Sequence, residues 1–293
     1  MSDNLARRLK LLLKLAFTAG ALWYVLAKID TRILMQTLQR AEWGWTLLGL
    51  LFFNLSKIAS AWRLNLLFEA IGLRLSNLYN LKLYYVGMFY NLFLPGGIGG
   101  DGYKMFLLNR HKKIAVKSLF SALLYDRLSG LTALLFYALL LFYASDYTRY
   151  LGPLGGQIAL ITAILVFPIA YIATARFFKA FVHAFLPLMG WGLAVQALQI
   201  ASALCLLAAL GIGEYRLEYL TLFLLSSVAA VLPLSVGGVG VRELTFLYGL
   251  QAIGQPPEEG VTFSFLFFLI TLVSSLGGLT FVENIARTKE PNP

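Results

Sequence analysis

Two segments of the chain carry the same order of residues. Leu94 to Lys104 reads LPGGIGGDGYK and Leu232 to Arg242 reads LPLSVGGVGVR, which share L-P-x-x-x-G-G-x-G-x-[KR]. Pro95 matches Pro233, Gly99 and Gly100 match Gly237 and Gly238, Gly102 matches Gly240, and Lys104 matches Arg242. Proline ends a helix because it lacks an amide hydrogen and clashes with the preceding turn. Glycines then permit a tight reversal. The helix that restarts beyond the break points free N–H groups and its positive dipole end back at it. With a basic residue one turn further in, each break has the parts of an anion cradle. The candidate binding residues are Gly97, Gly99, Gly100, Asp101, Gly102 and Lys104 at the first break, and Gly237, Gly238, Gly240, Arg242 and Glu243 at the second. The competing reading is close helix packing by small residues, which leaves the twice-repeated basic residue unexplained. Gly97, Gly99 and Gly102 also satisfy G-x-G-x-x-G, but no strand or βαβ unit surrounds them, so this is no dinucleotide fingerprint.

Lys57, Arg63, Asp126 and Arg127 add charge in or beside apolar stretches. A charged side chain at the centre of a membrane helix costs about 2.5 to 3.5 kcal/mol on insertion scales unless it is paired or hydrated. These groups are therefore expected to converge inside the protein with Asp101, Lys104, Arg242 and Glu243, as cavity-lining residues or as ion pairs that fix helix register. For Lys57, snorkelling to an interface is the alternative. Cys205 is the single cysteine, and His111 and His183 have no ligand-spaced companions. No disulfide, metal site or cofactor is expected.

What must position these residues is a set of membrane helices. Of the 293 residues 59% are hydrophobic and 13% charged, with mean hydropathy +0.75, whereas soluble domains carry about 25% charged residues. Apolar runs predict full spans near Leu11 to Ala27, Trp43 to Trp62, Leu119 to Ala144, Gln157 to Thr174, Leu188 to Leu210 and Val261 to Val282. The segments near 78–109 and 219–252 contain the two breaks, and neither half of either is long enough to cross comfortably. They read as re-entrant helical hairpins. Treated so, the positive-inside rule gathers the basic clusters Arg7 to Lys14, Arg110 to Lys117, Arg176 with Lys179, and Arg287 with Lys289 on the cytoplasmic side. Lys28, Arg32, Arg40, Arg149 and Arg216 fall outside. Both termini are then cytoplasmic, and the hairpins enter from opposite faces as an inverted repeat. Residues 1–293 form one multi-pass, all-α domain of the cell inner (plasma) membrane, with about six full spans. Thr31 to Gln39 has amphipathic helical spacing suited to the outer interface. The net charge of +10 sits at span ends, so no nucleic-acid partner is expected.

At four places the chain resembles the transmembrane domain family of lysylphosphatidylglycerol synthase/flippase proteins: NLFLPGGIGGDGYK from Asn91, AWRLNLLFEAIG from Ala61, YDRLSG from Tyr125 and LPLSVGGVGVRE from Leu232. The resemblance implies a module that translocates headgroup-modified lipids. Aminoacyl-transferring members carry a soluble catalytic domain after the membrane part, whereas this sequence closes on EPNP, so aminoacyl transfer is expected to be absent. The leading expectation is a flippase for a phosphate-containing lipid, not an enzyme. Its expected partners are lipids with anionic or modified headgroups, and a second copy or a lipid-modifying enzyme. The alternatives are a membrane-embedded lipid-modifying transferase using Asp101, Asp126 or Glu243 as acid or base, and an accessory lipid-delivery protein.

Overall fold

The computed structural model describes residues 20, 23, 24, 26, 27, 31–93, 99–231 and 238–287. Most of the expected span Leu11 to Ala27, together with Pro95, Gly97, Pro233 and Gly237, lies outside them. Among the described residues every regular element is helical. The helices are α1 (Thr31–Gln39), α2 (Trp43–Ala70), α3 (Asn77–Phe93), α4 (Gly99–Lys112), α5 (Val116–Ala144), α6 (Tyr147–Phe177), α7 (Phe185–Ala209), α8 (Arg216–Val231), α9 (Val241–Ala252), α10 (Glu258–Leu276) and α11 (Leu279–Arg287). A 3-10 turn over Lys179–Ala184 leads into α7.

Five stretches are long and apolar enough to cross a membrane: Trp43–Ala70, Val116–Ala144, Leu154–Phe177, Lys179–Ala209 and Glu258–Glu283. Each contains the core of one expected span. The helices overrun the expected ends because charged residues such as Arg63 and Lys117 continue the helix. Within α6, Gly152 at φ 72° interrupts the helix, and the apolar stretch starts just after it. Thr31–Gln39 is helical, packs on α10 and buries none of its residues.

The segments with the breaks form two pairs of shorter helices, α3 with α4 and α8 with α9, and the members of each pair pack together. At 1.5 Å per residue they run from about 18 to 26 Å, short of the roughly 30 Å hydrocarbon core. Glycine sets how closely the first pair approaches. A Cβ on Gly100 would run into the backbone carbonyl of Gly87, whereas one on Gly102 meets nothing within 4 Å. Gly100→Ala should therefore push α3 and α4 apart and lower the thermal midpoint of the purified protein, by about 1–3 kcal/mol if it behaves like other overpacked contacts. Gly102→Ala should leave the midpoint near that of the unaltered protein.

Two apolar cores lie one beyond the other along the long helices. The first joins Phe53, Leu206, Phe223, Phe246, Phe263 and Phe267, and the second joins Leu64, Phe68, Leu83, Leu108, Leu119 and Leu188. Between them a polar layer crosses the protein. On α2 it holds Asn54, Ser56, Lys57, Ser60 and Arg63, on α5 Asp126, Arg127 and Ser129, and on α7 Gln196. The layer falls near the middle of α2 and α5, where lipid offers polar groups nothing, so its members must satisfy one another.

Candidate functional site

Near the first break, Asn91 and Asp101 answer the free amides and the charge. The Gly100 amide, an unpaired donor at the start of α4, donates to Asn91 Oδ1 at 2.8 Å. Asp101, in the first turn of the helix, is placed where the dipole favours an acid. Its two carboxylate oxygens serve different cations. Lys104 Nζ lies 3.3 Å from Oδ1, and Arg127 Nε lies 2.6 Å from Oδ2. Lys104 is buried, sits 4.6 Å over the Tyr84 ring, and rests its stem against Gly87. Lys104 is thus a paired cation.

One residue back on α5, Asp126 addresses a different helix. Arg63 Nη2 is 2.9 Å from Asp126 Oδ1, Arg63 Nε donates to the same oxygen at 3.0 Å, and Nη2 also donates to the Asp126 carbonyl at 3.1 Å. The guanidinium fits because Gly130 faces it: a Cβ there would stand 3.1 Å from Nη1. Nη1 is buried and has no hydrogen-bond partner. Asp126 and Arg127, adjacent in sequence, therefore tie α5 to α2 and α4 respectively.

The second break is arranged otherwise. Gly238 and Gly240 take φ of 81° and 87°, values at which a side chain is strained. The Gly240 amide donates to Glu243 Oε2 at 2.6 Å, and Ser264 Oγ donates to Oε1 at 2.9 Å. Glu243 is buried and caps the start of α9. Glu243→Gln keeps the shape but loses charge-assisted acceptance, and should lower unfolding stability by about 1 kcal/mol, read as a shift in thermal midpoint.

Glu243 is turned toward Gly240 and Ser264, and Arg242 makes no ion pair among the described residues. Its Nε is buried without a hydrogen-bond partner, and its guanidinium lies 5.3 Å from the Phe267 ring centre. Lys57 is arranged in the same way, with Nζ 4.2 Å over Phe53 and no ion pair among the described residues. Phe53 and Phe267 meet edge to face at 5.6 Å. The two cations thus bracket an aromatic pair. In this layer five cations (Lys57, Arg63, Lys104, Arg127 and Arg242) meet three acids (Asp101, Asp126 and Glu243), an excess of two positive charges. Every acid is engaged, and the excess collects at Lys57 and Arg242.

The structure brings the charged candidates into one layer. It also separates Lys104 from Arg242 in kind, although the repeat makes them equivalent. Gly97 and Gly237 lie outside the described residues. Several participants escaped a reading based on charge. Asn91, Tyr84, Phe53, Phe267 and Ser264 carry none, and only the position of Asn91 just before the first break hinted at a role. Asn54 also acts as a junction, donating to Ser274 Oγ at 3.0 Å and accepting from the Tyr85 hydroxyl at 2.7 Å.

The sequence profile of the lysylphosphatidylglycerol synthase TM region matches residues 11–278 of the 293-residue chain. The chain belongs to this family. No curated protein matches it. The part shared with the lysylphosphatidylglycerol synthase TM region includes both breaks, all five long apolar helices up to residue 278, and every charged member of the polar layer.

Proposed function

We propose that this chain is a lipid flippase of the cell inner (plasma) membrane. It moves a phosphate-containing lipid, either a phospholipid or a polyprenyl-phosphate-linked lipid, from one leaflet to the other. The observation that carries this reading is the excess of positive charge at the half-buried Lys57 and Arg242, neither of which makes an ion pair among the described residues. Charge drawn partly out of water without a counter-charge is disfavoured, and a phosphate with one or two negative charges is the complement such a site lacks. Arg offers a fork of donors to phosphate oxygens, and Lys adds a point charge.

In this reading α3 with α4, and α8 with α9, are re-entrant hairpins entering from opposite faces, and both termini are cytoplasmic. The short helices and the shared break motif support it. The paired charges around Asp101 and Asp126 hold the hairpin and spans in register, while Lys57 and Arg242 hold the headgroup. The engagement of Asp101, Asp126 and Glu243 with cations or amides favours transport over acid–base chemistry in a transferase. Family membership is consistent with a lipid substrate. Purified protein reconstituted into vesicles should accelerate transbilayer movement of at least one lipid in a panel of phospholipids and polyprenyl phosphates, measured by accessibility of labelled headgroups. Rates equal to those of protein-free vesicles across both classes would remove the proposal.

A further inference from the structure

A groove of about 500 Å³ opens between the end of α1, the first half of α2 and the second half of α10. Leu38, Trp43, Leu47, Leu50, Ile270 and Val273 form most of its walls. The Thr46 hydroxyl, also in the wall, is turned back to donate to the Glu42 carbonyl at 3.2 Å. The walls therefore suit hydrocarbon and offer little to a polar ligand.

Trp43, Leu47, Leu50, Asn54 and Lys57 follow one another at spacings of three or four residues, so they form one stripe along α2. The stripe of α2 that lines the groove as far as Leu50 thus continues into the polar layer, where Asn54 bridges to Ser274 across the groove's end. The opposite wall does the same. Val273 is followed on α10 by Ser274, which accepts from Asn54, and Phe267 beneath Arg242 lies beside Leu266 of the groove. From Leu47 to Lys57 the stripe covers about 15 Å. Hydrocarbon at one end and unpaired cations at the other are the two halves of an anionic lipid.

We infer that this groove is the tail path of the transported lipid: one acyl or prenyl chain lies along α2 and α10 toward Trp43 while its phosphate sits at Lys57 and Arg242. The inference rests on the translocase reading and names where the tail goes. Bilayer and groove are equally apolar, so the groove adds little hydrophobic driving force. It supplies shape, letting the headgroup reach the polar layer while its chain continues into lipid. Under the topology proposed above, a lipid with its head at Lys57 and its tail toward Trp43 has the orientation of the cytoplasmic leaflet.

Two variants fill the groove from opposite walls, Leu50→Trp and Val273→Trp, and both leave Lys57 and Arg242 in place. Binding of dioleoyl phosphatidate and of dihexanoyl phosphatidate to purified protein is counted by native mass spectrometry. The expected result is that both variants weaken dioleoyl binding at least tenfold and leave dihexanoyl binding within twofold, because the short chains never enter the groove. Unchanged dioleoyl binding in both variants overturns the tail path, and so does an equal loss of both probes, since a tail path must act on chain length. Failure of the underlying reading looks different: Lys57→Gln with Arg242→Gln then leaves the binding of both probes unchanged, or the unaltered protein binds neither.

Discussion

Arg242→Gln should lower the rate of lipid translocation in reconstituted vesicles by about ten- to a hundredfold. The estimate follows from the loss of charge-assisted hydrogen bonds to phosphate, worth about 1.5–3 kcal/mol, where 1.4 kcal/mol is a factor of ten. Its effect on stability should have the opposite character. Arg242 has no acid partner among the described residues, and its Nε is buried without an acceptor. Replacing it with a neutral side chain of similar reach removes a partly desolvated charge. The thermal midpoint of purified Arg242→Gln should therefore be equal to or higher than that of the unaltered protein. A residue kept for architecture would show the reverse, with stability falling and any surviving protein fully active. Activity and midpoint measured on the same preparation separate the two roles.

The second large effect is structural. Asp126→Asn should destabilise the protein by about 3–5 kcal/mol, because it leaves the buried Arg63 guanidinium without its counter-charge. Arg63 already has one buried nitrogen with no partner, so it has no acceptor in reserve. The double substitution Arg63→Met with Asp126→Leu should recover most of that loss, since apolar residues of similar volume commonly replace a buried pair with little penalty. Unfolding of Arg63→Met, Asp126→Leu and the double variant, followed by denaturant titration in one detergent, gives the coupling energy directly. If Asp126→Asn alone were as stable as the unaltered protein, the pair would not be what holds α5 on α2.

How far these arrangements were legible in the sequence depends on the range of the interaction. The five long helices were readable because lipid demands an unbroken apolar length, which composition records locally. The first expected span, Leu11 to Ala27, lies mostly outside the described residues. Convergence of the intramembrane charges was readable from the cost of leaving any one of them alone. The partners were not. Arg63 and Asp126 are separated by 63 positions, and Asp101 and Arg127 by 26, so only packing decides who meets whom. The difference between the two repeats is the instructive case. The motif equates Lys104 with Arg242, yet three residues earlier one has Asp101 and the other Val239. On a helix that spacing puts the acid within reach of the first cation and leaves the second without one. That asymmetry stands in the sequence, at a position the shared motif leaves variable. Glu243 stands next to Arg242 in the sequence. The cap requirement of α9 claims it instead.

The central claim is that the cations without an acid, rather than the repeated motif as such, hold the lipid phosphate. It is tested most directly by counting phosphate-containing lipid retained by purified Arg242→Gln and Lys104→Gln, side by side with the unaltered protein, by quantitative mass spectrometry. The account predicts that Arg242→Gln loses at least nine-tenths of the retained lipid, about the effect of 1.4 kcal/mol, while Lys104→Gln keeps most of it because Asp101 still has Arg127. Equal loss in both variants, or full retention in Arg242→Gln, would contradict it.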